Sequence, residues 1–374
     1  MNMVNQVGWF GRIGRSIKGI FAGFVFALIA VVLLIANERN AVRDIRTNKE
    51  IAKEVTSVAN DKVDAAKEGK LIHLNGPAQT DDIVEHPKFG IKENAIRLSW
   101  DAEIYQWIET EKNDTTKNTG GSETTTTTYS YDKGWVSEPI DSSKFNQPTG
   151  HENPPGQTFH SGLSQAKDVT VGSFNLPEPL ISKISSSEPH LLEEIPTALA
   201  SETANINNGI FHTGDAITPA VGDERVSFSL TKPQDVTVMA VQSNNTFEPY
   251  ISKNGKTRFI LMEGLLSATE VVQAEEQKAK FLRWVGRLGG FLLMSLGFGL
   301  ILKPLSVLAD VVPFFGNLVG AATGVIAGLF AGGLSLIIIA VFWVTFRPLI
   351  GIPVLIIAVA AVFFGIKKLM MKRA

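Results

Sequence analysis

Residues 20–36 decide the fold, and they read IFAGFVFALIAVVLLIA. This uncharged run is just long enough to cross the hydrocarbon core of a bilayer. A cleaved signal peptide is the alternative, since Arg12, Arg15 and Lys18 precede the run. Such a peptide ends in small residues after a shorter apolar core, whereas this run continues directly into a polar segment. We therefore expect a retained membrane helix at 20–36 and a cytoplasmic tail at 1–19.

The carboxy-terminal quarter of the chain contains three further apolar runs of membrane-spanning length. Arg287 lies near the start of the first run, where its side chain can snorkel to the interface. The predicted segments are a second membrane helix at 284–302, an interfacial or re-entrant connector at 303–315, a third helix at 316–346, a fourth helix at 349–366 and a basic tail at 367–374.

Four membrane helices place both termini on one side of the membrane and residues 37–282 on the other. Basic residues concentrate on the cytoplasmic side of membrane proteins, and they precede the first helix and follow the last one. Basic residues also follow the first helix, but they begin a long translocated domain, where this charge rule is weak. This charge bias predicts cytoplasmic termini and a luminal or periplasmic central region.

The composition excludes several classes of protein. The chain has 374 residues, and its 35 basic and 37 acidic residues give a net charge of −2, which argues against a nucleic-acid partner. It has no cysteine, so disulfides, thiolate metal sites and cysteine nucleophiles are absent. The lipid bilayer is therefore the one partner that composition predicts.

Helical stalks are predicted at both ends of the central region. Apolar residues in 41–68 recur at spacings of three, four and seven, which is typical of one face of a helix. Ser267 and Glu270 have the spacing of a capping box, which predicts a second stalk over 267–282 that continues into the membrane.

Strands are predicted between the stalks. Residues 96–104 alternate apolar and polar side chains, and residues 124–131 are rich in threonine and tyrosine. The first pattern is that of a strand with one wet face, and the polar stretch between the two predicts a long hairpin. The expected fold is therefore an α+β membrane protein with a mainly β domain between its first and second membrane helices.

The sequence contains no pattern that predicts a catalytic site, a metal site or an ion pathway. No two of the six histidines have the i, i+4 spacing of a helical metal site, and nucleotide-binding and nucleophile-elbow motifs are missing. The membrane runs also lack the internal charges of an ion or proton pathway. We expect no catalytic residues, cofactor or metal.

A glycine repeat marks the third membrane helix. Glycine recurs every fourth residue there, and small residues at that spacing let helices in a bilayer approach closely. Packing within the chain and self-association both remain open. The residues are Gly316, Gly320, Gly324, Gly328 and Gly332.

Several segments resemble the LUMA family, also called the transmembrane protein 43 family, which includes bacterial members. They occur in family order and cover nearly the whole chain. The segments are Asn37-Glu38-Arg39, Gly69-Lys70-Leu71-Ile72-His73, Ile104-Tyr105-Gln106-Trp107-Ile108-Glu109, Tyr129-Ser130-Tyr131 to Trp135-Val136-Ser137-Glu138, Gly150-His151-Glu152-Asn153-Pro154, Val221-Gly222-Asp223 to Arg225-Val226-Ser227-Phe228-Ser229, and Phe346-Arg347-Pro348-Leu349.

The resemblance implies four membrane helices around a large luminal domain, and it implies no catalytic residues. Animal relatives reside in the endoplasmic reticulum and inner nuclear membrane, where they are thought to self-associate and to organise emerin and lamins. A bacterial member would lie in the inner membrane without lamin partners. Ten motif residues of the domain have no implied role: Tyr105, Trp107, Glu109, Trp135, His151, Asn153, Pro154, Gly222, Asp223 and Arg225.

The expected function is a multipass membrane scaffold that forms homo-oligomers through its membrane helices and organises other membrane proteins through its domain. Two alternatives remain open. One is a lipid- or envelope-modifying enzyme, which needs an enclosed pocket in the domain. The other is a regulatory subunit of a channel or transporter, which should co-purify with a polytopic partner.

Overall fold

The computed structural model describes residues 2–201, 203–346, 349, 352–353, 355–357 and 360. The predicted fourth membrane helix at 349–366 and the basic tail at 367–374 therefore lie outside the continuously described ranges.

Long helices occur at both ends of the described chain. Three helices in the described part are long and apolar enough to cross a membrane, namely α1, α3 and α4, and most of their apolar side chains lie on the outside. The helices are α1 (Trp9–Glu54), α2 (Glu178–Ile181), α3 (Ala268–Ala309) and α4 (Pro313–Phe346).

The remainder of the described chain is rich in strands, as the alternating pattern predicts. The strands are β1 (Asn2–Val7), β2 (Thr56–Ser57), β3 (Leu71–Gln79), β4 (Ile83–His86), β5 (Ile91–Asn94), β6 (Arg97–Lys117), β7 (Glu123–Val136), β8 (Gly162–Gln165), β9 (Val169–Val171), β10 (Phe174–Leu176), β11 (Glu188–His190), β12 (Asn205–Asn207), β13 (Ile210–His212), β14 (Glu224–Thr231), β15 (Gln234–Ser243), β16 (Thr246–Glu248), β17 (Tyr250–Ile251), β18 (Thr257–Arg258) and β19 (Ile260–Glu263).

Two large sheets contain most of these strands. The first has the order β1-β7-β6-β14-β13-β12, with β11 also paired to β14 and β8 to β6. The second has the order β10-β9-β3-β15-β16, with β19 also paired to β15 and β2 to β3. The strands β6 and β7 form the hairpin that the sequence predicts.

The chain divides into two compact units. Residues 49–111 and 129–273 form the β domain, whose continuous apolar core contains inward-facing residues of both sheets, including Leu74, Leu98 and Phe228. The described residues in 1–48, 112–128 and 274–374 form the bundle unit, which contains α4, most of α1 and α3, and the tip of the hairpin. Its small apolar core includes Leu34 and Met294.

The first helix differs from the prediction at both ends. Residues 2–7 form a strand and α1 begins at Trp9, so residues 2–19 of the predicted tail contain regular secondary structure. At the other end α1 stops at Glu54 instead of continuing to residue 68. The valines that followed a helical spacing lie in extended chain beyond it: Val58 donates its backbone N–H to the His73 carbonyl and packs against the core of the β domain.

The connector predicted at 303–315 is also wrong. The helix α3 continues through Pro304 to Ala309, and α4 begins at Pro313. A proline removes one hydrogen bond, which a membrane helix tolerates where neighbouring groups compensate, and proline is favoured in the first turn of a helix. The break is therefore a turn of three residues, and the predicted bounds 284–302 and 316–346 lie inside longer helices.

The predicted start of the second stalk is confirmed. The Ser267 backbone N–H donates to Glu270 Oε2 at 2.7 Å, and the Glu270 N–H donates to Ser267 Oγ at 3.3 Å. This reciprocal pair satisfies two of the backbone donors that every helix leaves free at its amino end. The helix then continues without interruption into the apolar run.

Candidate functional site

The motif residue Asn153 holds a long loop against the hairpin of the β domain by hydrogen bonds. Asn153 Oδ1 accepts the Trp107 backbone N–H at 2.7 Å, and Asn153 Nδ2 donates to the Trp107 carbonyl at 2.9 Å and to the Ile140 carbonyl at 3.3 Å. A side-chain amide carries the same donor and acceptor as a peptide group, so it substitutes for a neighbouring strand. The loop between β7 and β8 is therefore held against β6.

Aromatic stacking strengthens the same attachment. The His151 ring stacks on Tyr131 with centroids 3.9 Å apart and meets the edge of Trp107 at 4.7 Å. The Tyr131 hydroxyl donates to Glu109 Oε2 at 2.6 Å, and the Asn146 N–H donates to the same oxygen at 2.5 Å. These motif side chains are thus occupied by packing and hydrogen bonds with one another.

A second loop is attached to β6 by backbone hydrogen bonds. The Gly222 N–H donates to the Tyr105 carbonyl and the Tyr105 N–H donates to the Asp223 carbonyl, both at 2.8 Å. Gly222 has φ of +101°, a region that favours glycine. A Cβ at this position would also lie 3.4 Å from Pro154 Cγ, so the two loops approach each other here.

Charge and aromatic contacts continue along this edge of the sheet. Arg225 Nε lies 2.6 Å from Glu103 Oε2, and the guanidinium lies 4.6 Å from the centroid of Trp135. Buried His212 neighbours Trp135, and within the described residues its Nδ1 finds no hydrogen-bond partner. Burial, and then the charge of Arg225, lower the pKa of His212 below its ordinary value, partly offset by Asp223.

All ten predicted motif residues therefore lie around the base of the hairpin, and we call this set the motif cluster. Their hydrogen bonds and ring contacts hold loops against β6 and β7. Residues that the sequence reasoning missed here are Glu103, Tyr131 and His212, which no spacing rule separates from ordinary strand residues.

The helix bundle contains a buried charge cluster at one end. Glu38 is 1% exposed and accepts Arg287 Nε at 2.7 Å, Arg287 Nη2 at 2.9 Å and Trp343 Nε1 at 3.0 Å. We call these three residues the Glu38 cluster. Arg287 is thus paired inside the protein, which corrects the prediction that it snorkels to the interface. The cluster joins α1, α3 and α4 through one carboxylate.

A second buried cluster lies at the opposite end of the helices. Asp310, also 1% exposed, lies 2.5 Å from Arg12 Nη2 and 2.9 Å from Lys117 Nζ, and Arg12 Nε lies 3.2 Å from Glu123. We call these four residues the Asp310 cluster. Arg12 and Glu38 are separated by roughly 40 Å along α1. That is about the thickness of a bilayer with its headgroups.

Glycines bring α1 and α3 into close contact between the two clusters. A Cβ on Gly23 would lie 2.6 Å from the Gly297 carbonyl oxygen, and a Cβ on Gly297 would lie 2.8 Å from the Ala27 backbone nitrogen. Gly290 likewise faces Leu34 with no room for a side chain. The sequence analysis did not identify this interface, although Gly290 and Gly297 are seven residues apart and therefore lie on one face of α3.

The five glycines of α4 fall into two groups. Gly316 faces Asp310 in the turn before α4, and Gly320 and Gly332 face Ser306 and Phe291 of α3. A Cβ at Gly324 or Gly328 would meet no atom of the described residues within 4 Å. Within that part of the chain, the repeat packs at both ends and is open in its middle.

Sequence reasoning identified neither buried carboxylate as important. Glu38 and Asp310 each flank an apolar run, where hydropathy treats a charge only as a boundary. The available signal was that each acid has a basic residue at the same predicted membrane depth: Arg287 for Glu38, and Arg12 for Asp310.

These features define an integral membrane protein in which a β-rich domain is inserted between the first two membrane helices. The comparisons with known proteins agree. The family model described as Transmembrane protein 43 matches residues 104–348. The chain belongs to the transmembrane protein 43 family, which confirms the resemblance seen in the sequence.

Relatives match over most of their length. Transmembrane protein 43 of Rattus norvegicus is 31% identical over 356 residues, covering 92% of this chain and 88% of the relative. The Homo sapiens protein is 30% identical over 357 residues with the same coverage. The Drosophila melanogaster homolog is 28% identical over 342 residues, covering 87% and 90%. No solved structure matches the chain.

Proposed function

We propose that this protein is a membrane scaffold that self-associates through α4 and organises other membrane or envelope proteins through its β domain. The observation that carries the proposal is the open middle of the glycine repeat. Among the residues that the structure describes, Gly324 and Gly328 face no atom within 4 Å, whereas Gly320 and Gly332 face side chains of α3 and Gly316 faces Asp310 in the turn before α4.

The physical basis is the way helices associate in lipid. Lipid tails give helices no hydrophobic reason to associate, so close van der Waals contact between small residues supplies the attraction. Val325 and Leu329 beside the open glycines are 65% and 68% exposed, so they can flank a second helix. A second copy of α4 fits this face because its own glycines allow the same close approach.

The motif cluster supports a binding role for the β domain. Its side chains bond to strands and loops of the same domain, as Asn153 does with Trp107 and Glu109 with Tyr131. Such contacts fix the shape of a surface, which suits a domain that presents itself to partners. We propose no catalytic residues and no cofactor.

The proposed location follows from the helices and the family. The protein would lie in the inner membrane of a bacterium, or in the endoplasmic reticulum and inner nuclear membrane of a eukaryote. The β domain would face the periplasm or lumen. Emerin- and lamin-type partners would apply only in a eukaryote, and we propose no nucleic-acid partner.

Cross-linking in native membranes tests self-association. The chain lacks cysteine, so Gly324→Cys or Gly328→Cys introduces a single thiol on the proposed contact face. We expect mild oxidation to give a covalent dimer from either variant. Gly299→Cys is the matched control, because a Cβ on Gly299 of α3 also meets no described atom within 4 Å.

The outcomes separate the proposed functions. Dimers from both α4 variants and none from the control support self-association. Equal cross-linking of all three variants would indicate random collision and contradict it. An adduct with a different polytopic protein would instead favour the regulatory-subunit alternative.

A further inference from the structure

The amino terminus and the tip of the hairpin meet inside the bundle unit. Six backbone pairs join β1 to β7, from Asn2 opposite Thr128 to Val7 opposite Glu123. The hairpin tip also contacts the turn between α3 and α4, where the Gly120 N–H donates to the Val311 carbonyl at 2.9 Å. The strand β1, the hairpin tip and the turn between α3 and α4 are far apart in the sequence but lie next to one another in the structure.

Side chains close this junction. Trp9 Nε1 donates to the Val307 carbonyl at 2.9 Å, and a Cβ on Gly121 would clash with the Trp9 ring. Arg12 is 8% exposed and donates to the Gly121 carbonyl at 2.7 Å while contacting Glu123 and Asp310. Lys117 brings a second cation to Asp310. The Asp310 cluster therefore holds two positive and two negative charges, and the hairpin supplies one of each.

We propose that residues 2–12, the hairpin tip at 112–128 and the turn at 307–316 lie on the same side of the membrane. Between residue 12 and residue 112 the chain has only one apolar run of membrane-spanning length, at 20–36. Counting apolar runs would therefore put the amino terminus and the hairpin tip on opposite sides. The buried junction overrides that count, because a bilayer cannot separate groups that are hydrogen bonded to each other.

The hairpin must then reach the side of the amino terminus even though the run at 20–36 crosses the membrane. Charged side chains and open strand edges are not tolerated in lipid. Where the hairpin passes the level of the bilayer, it therefore faces protein or water. This inference does not depend on self-association through α4.

Paired cysteines test the contact. Val4 lies opposite Thr126, and β7 separates β1 from β6, which carries Asp114. A disulfide requires Cα atoms within about 7 Å, whereas residues two strands apart are about 10 Å apart. We expect V4C/T126C to close readily in native membranes and V4C/D114C to remain open. N5C/T125C, in the same register, is the second pair should the first variant misfold.

Labelling with a membrane-impermeant maleimide tests the side directly. Asn5 and Thr119 are both exposed, so N5C and T119C are expected to react or stay protected together in sealed vesicles of uniform orientation. Labelling of only one of the two before permeabilisation would overturn the proposal. Failure of both register pairs to cross-link, or equal cross-linking of the control, would also overturn it.

Discussion

The two charge clusters at the ends of the bundle differ in where their partners come from. Each contains a carboxylate that is 1% exposed and an arginine. The partners of Glu38 all lie on membrane helices, whereas Asp310 contacts Lys117 of the hairpin as well as Arg12 of α1, and Arg12 also contacts Glu123 of the hairpin. The first cluster can form as soon as the helices pack. The second depends on a hairpin whose base belongs to the β domain.

The largest effect is expected at the Glu38 cluster. Glu38→Ala leaves Arg287 buried without its carboxylate, which should lower the free energy of unfolding by about 3–5 kcal/mol. Replacing both residues with methionine should restore much of that loss. Thermal unfolding in one detergent would measure the three variants. A Glu38→Ala protein as stable as the wild type would show that the pair is not truly buried.

A smaller loss is expected at the Asp310 cluster. Asp310→Ala removes the partner of Lys117, but Arg12 keeps Glu123 at 3.2 Å. We therefore expect a loss of about 2–4 kcal/mol, because one charge pair survives. Proteolysis at the hairpin tip should accelerate in this variant and stay unchanged in Glu38→Ala. If proteolysis were accelerated equally in both variants, the claim that only the Asp310 cluster involves the hairpin would be contradicted.

The glycine contacts between the clusters should matter next. Gly297→Val places a side chain against the backbone of α1, and overpacking of this kind costs about 1–3 kcal/mol. Gly299→Val is the control, because a side chain there meets open space. Unfolding of both variants in one detergent is the measurement. Equal melting temperatures would mean that α1 and α3 do not approach as closely as described.

The smallest effect is expected in the β domain, where the titration of His212 should make stability depend on pH. The pKa of His212 in the folded protein lies below its ordinary value of 6.5, so protonation favours the unfolded state. Stability should be unaffected above neutral pH and should fall as the pH drops below about 6.5. His212→Gln should flatten this fall in a titration of melting temperature, whereas a slope equal to that of the wild type would rule out the assignment.

Some of this architecture was predictable because it depends on local pattern. The alternation at 96–104 gave the hairpin, Ser267 and Glu270 gave a helix start, and the apolar runs gave three membrane helices. In each case the residues that decide the element lie within a few positions of one another. Interactions between residues close in the sequence were therefore sufficient to predict these elements.

The elements that could not be predicted depend on partners that are far away in the sequence. Residues 2–7 carry no strand signal that outweighs their flanking apolar helix, and they pair only because residues 123–128 arrive beside them. The valines after Glu54 satisfy a helical spacing, yet the sheet offers Val58 a backbone partner at His73. The ten motif residues were predicted as a set, but only the folded chain shows that they hold loops against one hairpin.

The central claim is that the open glycines of α4 assemble the protein, and native mass spectrometry of the detergent-purified protein tests it most directly. Wild type, Gly324→Leu and Gly299→Leu would be compared at matched concentration. We expect a discrete oligomer for the wild type and for Gly299→Leu, and a monomer for Gly324→Leu. A monomeric wild type, or an oligomer that survives Gly324→Leu, would contradict the account.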